Sequence, residues 1–187
     1  MSKIQKSIHK TKEILEKIED EGHYMIIGPE KGKVLAFMVK KKMPKRILEV
    51  GTYIGYSAIL MADAMRGKTK IITLESDLSN SQVALTNFKK AGLNKVIEIK
   101  TGDAKELIPT LPATFDFMFI DAAKEEYLTY LLLAEEKLKK GAVVVADNVK
   151  IFKEDMVDYL KYVRESGKYE STTYDVGSDA LEVSIKK

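Results

Sequence analysis

From residue 46 onward, short apolar runs alternate with amphipathic stretches. RILEV, KIITLE, VIEIK, FDFMFID and GAVVVADN are rich in β-branched and aromatic residues and read as strands. Between them the spacing predicts helices near 56–66, 78–91, 104–111 and 125–139. This alternation predicts right-handed βαβ units and a mostly parallel sheet covered on both faces. A helix near 153–165 follows, and then YESTTYDV and DALEVSIKK flank Gly177-Ser178 as a terminal hairpin. The expected fold class is α/β, a three-layer sandwich whose sheet ends in an antiparallel strand. Ahead of this core, residues 3–20 put Ile4, Ile8, Thr11, Leu15 and Ile18 on one helical stripe. The favoured reading packs that stripe on its own domain, the other on a partner subunit. A second helix follows Gly28-Pro29 and carries Val34, Leu35, Met38 and Val39. With no repeat or linker, the expectation is one domain over 1–187, with a helical extension at 1–43 and an α/β core at 44–187.

Composition narrows the class. The 187 residues are 45% hydrophobic and 32% charged, as in a globular domain. No apolar run approaches the roughly 20 residues needed to span a bilayer. The N-terminus lacks the apolar centre of a signal peptide, so a cytoplasmic protein without membrane partners is expected. The absence of cysteine excludes disulfides and thiolate zinc sites. A net charge of +3 points to no polyanion by itself. All but three of the 31 basic residues are lysines, the exceptions being Arg46, Arg66 and Arg164. The guanidinium forks that read bases and clamp phosphates are therefore scarce.

In open parallel sheets ligands bind beyond the carboxyl ends of the strands. Here those ends are acidic: Glu49, Glu75, Asp103, Asp121 and the pair Asp147-Asn148. The first strand runs into LEVGTYIGYSA, where Gly51 and Gly55 allow a sharp turn at a helix N-terminus. A dinucleotide loop has a second glycine where Tyr53 stands, and its ring would fill the pyrophosphate space. Glu75 lies 24 residues beyond Gly51, placed to hold ribose hydroxyls. A ribose with a cationic centre and no phosphate suits these residues, and S-adenosylmethionine has those features. GPEKGK at 28–33 looks like a nucleotide loop, but it is one residue short and Val34 stands where Ser or Thr is required. It is set aside.

Asp121, Asp147 and Asn148 end adjacent predicted strands. Two carboxylates and an amide oxygen form a hard-oxygen set suited to Mg²⁺ or another divalent cation. Singly, Asp121 reads first as a helix cap and Asp147-Asn148 as a turn and cap pair. Side by side next to a cofactor loop, they favour a metal. The only imidazoles, His9 and His23, are far from these ends in sequence. Lys124 is three residues past Asp121, where it can accept a proton from a hydroxyl acidified by a cation. Tyr127, a further three on, reads as packing.

Taken together, MIIGPEKGKVL, ILEVGTYIGYSA, ITLESD, GDAKELIPTL, FDFMFIDAAKEEY and VVVADNV resemble the metal-dependent S-adenosylmethionine O-methyltransferases. That group includes catechol and caffeoyl-coenzyme A O-methyltransferases, and the likeness runs from about Met25 to the C-terminus. The resemblance implies a Rossmann-like methyltransferase fold with a seven-stranded sheet. It implies Mg²⁺ on Asp121, Asp147 and Asn148, and Lys124 as general base. It further implies a cofactor site lined by Glu49, Gly51, Tyr53, Ser57, Glu75, Asp103 and Ala104, with Asp121 beside it. Met25 and Ile27 correspond to residues covering the methionine portion. The implied acceptor is a small molecule with vicinal hydroxyls, such as a hydroxylated aromatic, and the implied assembly a homodimer.

The departures concern the acceptor. After DNV the chain reads KIFKEDMVDYL where many relatives have a loop with glycine and tryptophan, and it contains no tryptophan. Alignment of the terminal strand puts Thr173 where catechol enzymes hold a glutamate. The insertions for coenzyme A are absent. The alternative acceptor is a hydroxylated uridine in transfer RNA, for which the lysines of residues 40–46 offer phosphate contacts.

Overall fold

The computed structural model of the chain describes residues 3–22, 25–111 and 114–187, with side chains at the N-terminus from residue 10. The side chains of Ile4, Ile8 and His9, and all of His23, lie outside the described residues. The sheet has seven strands in the order β3-β2-β1-β4-β5-β7-β6. These are β1 Arg46–Val50, β2 Lys70–Glu75, β3 Ile97–Thr101, β4 Phe115–Ile120, β5 Leu138–Ala146, β6 Tyr169–Val176 and β7 Asp179–Lys186. β7 pairs antiparallel with both β5 and β6, while the other neighbouring pairs are parallel. The α/β sandwich with an antiparallel terminal strand is thus the observed fold.

Alternation along the central strands makes two cores. Ile47, Phe117 and Phe119 face one side of the sheet, whereas Leu48, Val50, Met118 and Ile120 face the other. The first side is covered by α1 Lys3–Asp20, α2 Gly28–Lys42, α3 Tyr56–Ala64 and α4 Leu78–Lys90, through Ile18, Leu35, Ile59 and Phe88. The second is covered by α5 Ala104–Thr110, α6 Tyr127–Glu135 and α7 Val157–Glu165, through Ile108, Leu131 and Val163. Each fully buried aromatic or aliphatic side chain contributes about 1.5–3 kcal/mol against leaving it in water. Where its side chains are described, the stripe on α1 turns inward: Ile18 is buried in the core, and the Thr11 hydroxyl donates to Asp63 on α3. No helix among the described residues is long and apolar enough to cross a membrane.

Two boundaries depart from expectation. The helix expected over 125–139 is a 3-10 turn, Lys124–Glu126, followed by α6, which stops at Glu135. Leu138 instead pairs with Phe115, and the ladder then slips so that Phe117 pairs with Val143. Two steps on β4 thus oppose five on β5, and Gly141 adopts the left-handed conformation inside this bulge. The helix expected from 153 begins at Val157, because residues 149–156 form a run of turns.

Candidate functional site

The strand order reverses between β1 and β4, whose following connections leave in opposite directions. A cleft opens at their carboxyl ends, as this topology requires. Its volume is about 810 Å³. The two loops meet there backbone to backbone: a Cβ on Gly51 would lie 1.9 Å from the Asp121 carbonyl oxygen. Gly51 also has a φ of +95°, which only glycine adopts without strain.

The residues expected to surround a cofactor are brought together. Met25, Gly51, Tyr53, Glu75, Asp103 and Ala104 all line the cleft. Ile27 and Ser57 line a small pocket next to it, which shares Met25, Gly51, Tyr53 and Asp121. Glu75 is held from both ends, since Oε2 accepts from the Tyr53 backbone (2.7 Å) and Oε1 from the Asp77 backbone (3.0 Å). Asp103 caps α5 by accepting from the Lys105 backbone (2.8 Å) and is still part of the cleft wall. Glu49 lies beneath, fully buried, and takes a hydrogen bond from the Ser57 hydroxyl at 2.5 Å. Burial pushes its carboxyl up to about 7, against the hydrogen bonds from Ser57 and Thr73. Its Oε2 is buried with no hydrogen-bond partner. An unpaired buried carboxylate oxygen beside Ser57 fits a ligand carrying positive charge better than one carrying phosphate.

Asp121, Lys124, Asp147 and Asn148 share the other part of the cleft wall. Asp121 caps no helix: Ala123 and Glu126 occupy the cap positions of the 3-10 turn and α6, with no side-chain cap bond. Its Oδ1 accepts from Lys124 Nζ at 2.8 Å. Lys124 also donates to the Tyr127 hydroxyl at 2.9 Å and lies 5.9 Å from the centre of the Phe152 ring. Tyr127 is fully buried and stacks edge-on against Tyr159 at 5.8 Å. Burial, with the charges of Asp121 and Asp147, pushes its hydroxyl well above the usual range. Tyr127 therefore holds Lys124 in place, a role that the sequence reading missed although its i+3 spacing is visible.

Asp147 is almost wholly buried, and burial pushes its carboxyl above the usual range, with the negative charge of Asp121 adding to the effect and Lys31 opposing it. Its Oδ1 receives the Asn148 backbone N–H (2.7 Å) and the Lys31 ammonium (2.6 Å). Asn148 sits at φ +62°, a conformation asparagine tolerates, and its Nδ2 donates to Asp179 Oδ2 at 2.8 Å. The hydrogen bonds of the three side chains thus fall on Asp121 Oδ1, Asp147 Oδ1 and Asn148 Nδ2. Asp121 Oδ2, Asp147 Oδ2 and Asn148 Oδ1 are left for another partner, and three hard oxygens fit Mg²⁺ with open positions for water or substrate. Among the described residues no group of three or more His, Cys, Asp or Glu forms an alternative metal cage.

Ile151 and Phe152, from the KIFKEDMVDYL segment that replaces the relatives' loop, close one side. Lys105, Glu126 and Tyr130 form a linked rim in which Glu126 accepts from both partners. No local signal marks this rim; the packing of α5 on α6 creates it. Thr173, aligned above with a substrate-binding glutamate, is not part of the wall. It lies within the outermost strand, donating to Glu182 (2.6 Å) and accepting from Arg164 (3.1 Å).

The chain is similar to known proteins along most of its length. A family model described as O-methyltransferase matches residues 4–161. A catechol O-methyltransferase of Niastella koreensis is 39% identical over 66% of this chain and 58% of its own length. The catechol O-methyltransferase of Sus scrofa is 33% identical over 87% of this chain and 94% of its own. The chain thus spans under two thirds of the first relative and nearly all of the second. Among solved structures, an O-methyltransferase from Bacillus cereus in complex with SAH superimposes with a TM-score of 0.84 at 25% identity, covering 96% of this chain and 91% of that one.

Proposed function

The chain belongs to the O-methyltransferase family, and from that premise we propose that it methylates a hydroxyl of a small catechol-like molecule. The methyl donor in this reading is S-adenosylmethionine. Asp121, Asp147 and Asn148 hold a divalent cation, with Mg²⁺ the expected ion. When bound, the cation would supply a Lewis acid that lowers the pKa of a substrate hydroxyl. Lys124, held between Asp121 and Tyr127, gives up one of its own protons to solvent before it receives that of the attacking hydroxyl. Glu75 orients the ribose, and Ser57, backed from beneath by the buried Glu49, faces the positively charged end of the donor. Met25 and Ile27 cover its methionine portion. Methyl transfer forms an oxygen–carbon bond as the sulfur–carbon bond breaks, so the protein contributes alignment and charge placement.

The observation that carries this reading is the set of three uncommitted oxygens on Asp121, Asp147 and Asn148 beside a positioned lysine. The test is methyl transfer to a catechol with and without chelator, in the unaltered protein and in Asp121→Ala. Loss on chelation, and an inactive variant in excess Mg²⁺, are expected. Full activity of that variant in chelator would sink the metal mechanism.

An RNA acceptor gains no support from residues 40–46. They end α2 and begin β1, at the edge of the sheet opposite the cleft. Lys42 is also tied to the Gly141 carbonyl (2.6 Å), and the backbone N–H groups of Lys45 and Arg46 donate to Asp116.

A further inference from the structure

The GPEKGK segment, discarded as a nucleotide loop, reaches the centre of the site. Lys31, in the first turn of α2, extends its ammonium between two carboxylates, 2.6 Å from Asp147 Oδ1 and 2.8 Å from Asp179 Oδ2. The three side chains are only 14%, 2% and 9% exposed, unlike the many solvated lysines of this chain. The helix is fixed at this level, because a Cβ on the adjoining Gly32 would lie 2.9 Å from Leu60 of α3. Asp179 in turn accepts from Asn148 Nδ2 and from the Ile151 backbone at 3.3 Å. A carboxylate only accepts hydrogen bonds, so the amide nitrogen of Asn148 must face Asp179 and its oxygen must face elsewhere.

We propose that Lys31 is a positioning residue of the cation centre, acting with Asp179 to orient Asp147 and Asn148 while its fixed charge restrains divalent affinity. This rests on the assignment of Asp121, Asp147 and Asn148 as ligands. The centre carries three negative charges, on Asp121, Asp147 and Asp179, against two positive ones, on Lys31 and Lys124. Its net charge of −1 becomes −2 once Lys31 is neutralised. Each carboxylate ligand thus has a lysine on one oxygen and offers only the other. In a largely buried site, loss of a neighbouring positive charge outweighs the orientational freedom gained by Asp147, so the bound cation tightens.

Mn²⁺ titration, followed by the electron paramagnetic resonance signal of the free ion, tests this without relying on turnover. Lys31→Met is expected to lower the Mn²⁺ dissociation constant at least about tenfold, and Lys31→Arg to leave it within roughly threefold. Asp179→Asn removes a negative charge and frees the Asn148 amide, so binding weakens. Binding of S-adenosylhomocysteine by calorimetry should stay unchanged in all three and reports an intact fold. Equal or weaker Mn²⁺ binding by a folded Lys31→Met overturns the proposal. If that variant does not fold, Lys31→Gln, uncharged but still a donor, carries the same expectation. Absence of Mn²⁺ binding to the unaltered protein removes the cation centre itself, an outcome distinct from the loss of Lys31's role alone.

Discussion

Gly51 and Asp121 touch through their backbones, and no side chain fits between them. The contact seals the point where the first and fourth strands part, and places the start of the glycine turn against the first acidic residue of the proposed cation centre. Gly51→Ala adds a methyl at 1.9 Å from a carbonyl oxygen, at a positive φ. A loss of roughly 2–5 kcal/mol is expected in urea unfolding, with donor binding lost even where the variant folds. An alanine variant of normal stability and affinity would show that the loops separate freely.

Tyr127 and Lys124 give a kinetic prediction. Tyr127→Phe removes the hydroxyl that accepts from the Lys124 ammonium and leaves the ring packed on Tyr159. A fall of about tenfold in kcat is expected, with donor affinity unchanged. Lys124→Ala should lose more, on the order of 10²–10⁴. If both variants turn over normally, the proton leaves by another route.

Glu49 makes stability depend on pH. Its carboxyl stands at about 7 in the folded protein against 4.5 ordinarily. Between these values the native state keeps a proton that the unfolded chain releases, so stability falls as pH rises. Above pH 7 the full cost of about 3 kcal/mol is present, and below 4.5 it vanishes. Glu49→Gln is expected to match the unaltered protein near pH 4.5, to exceed it in stability at pH 8, and to bind the donor more weakly. Superimposable unfolding curves at both pH values would remove this account.

Arg164 grips Glu182 with two hydrogen bonds, from Nε at 2.7 Å and from a terminal nitrogen at 2.8 Å, and Glu182 is 1% exposed. Arg164→Ala leaves the buried carboxylate with only the Thr173 hydroxyl and should cost about 1–3 kcal/mol, whereas replacing both partners by apolar residues should cost less. Chemical denaturation of the single and double variants separates the two.

Much of this arrangement was legible because it is periodic or punctuated. The β-branched runs identified the strands, and the acidic residue ending each run identified the cleft. Lys31 was hidden for the opposite reason: its partners lie 116 and 148 positions away, and only the packing of α2 across the sheet from β4 to β6 brings them together. The helix expected from 153 begins only at Val157, so the length of the turn carrying Ile151 and Phe152 was not legible. The bulge at Gly141 could not be read from the apolar pattern, since register is a property of two strands and not of one.

Helix α2 falls outside the core boundary drawn at residue 44, yet Leu35 and Val39 are fully buried and Lys31 reaches Asp147. A hybrid made by joining residues 44–187 to a foreign leader would inherit the glycine turn and the acidic strand ends, but lose the cleft wall at Met25 and the ammonium between Asp147 and Asp179. Exchange of residues 25–31 alone leaves every strand untouched. That short stretch is therefore a natural handle for redesigning the catalyst without rebuilding its scaffold.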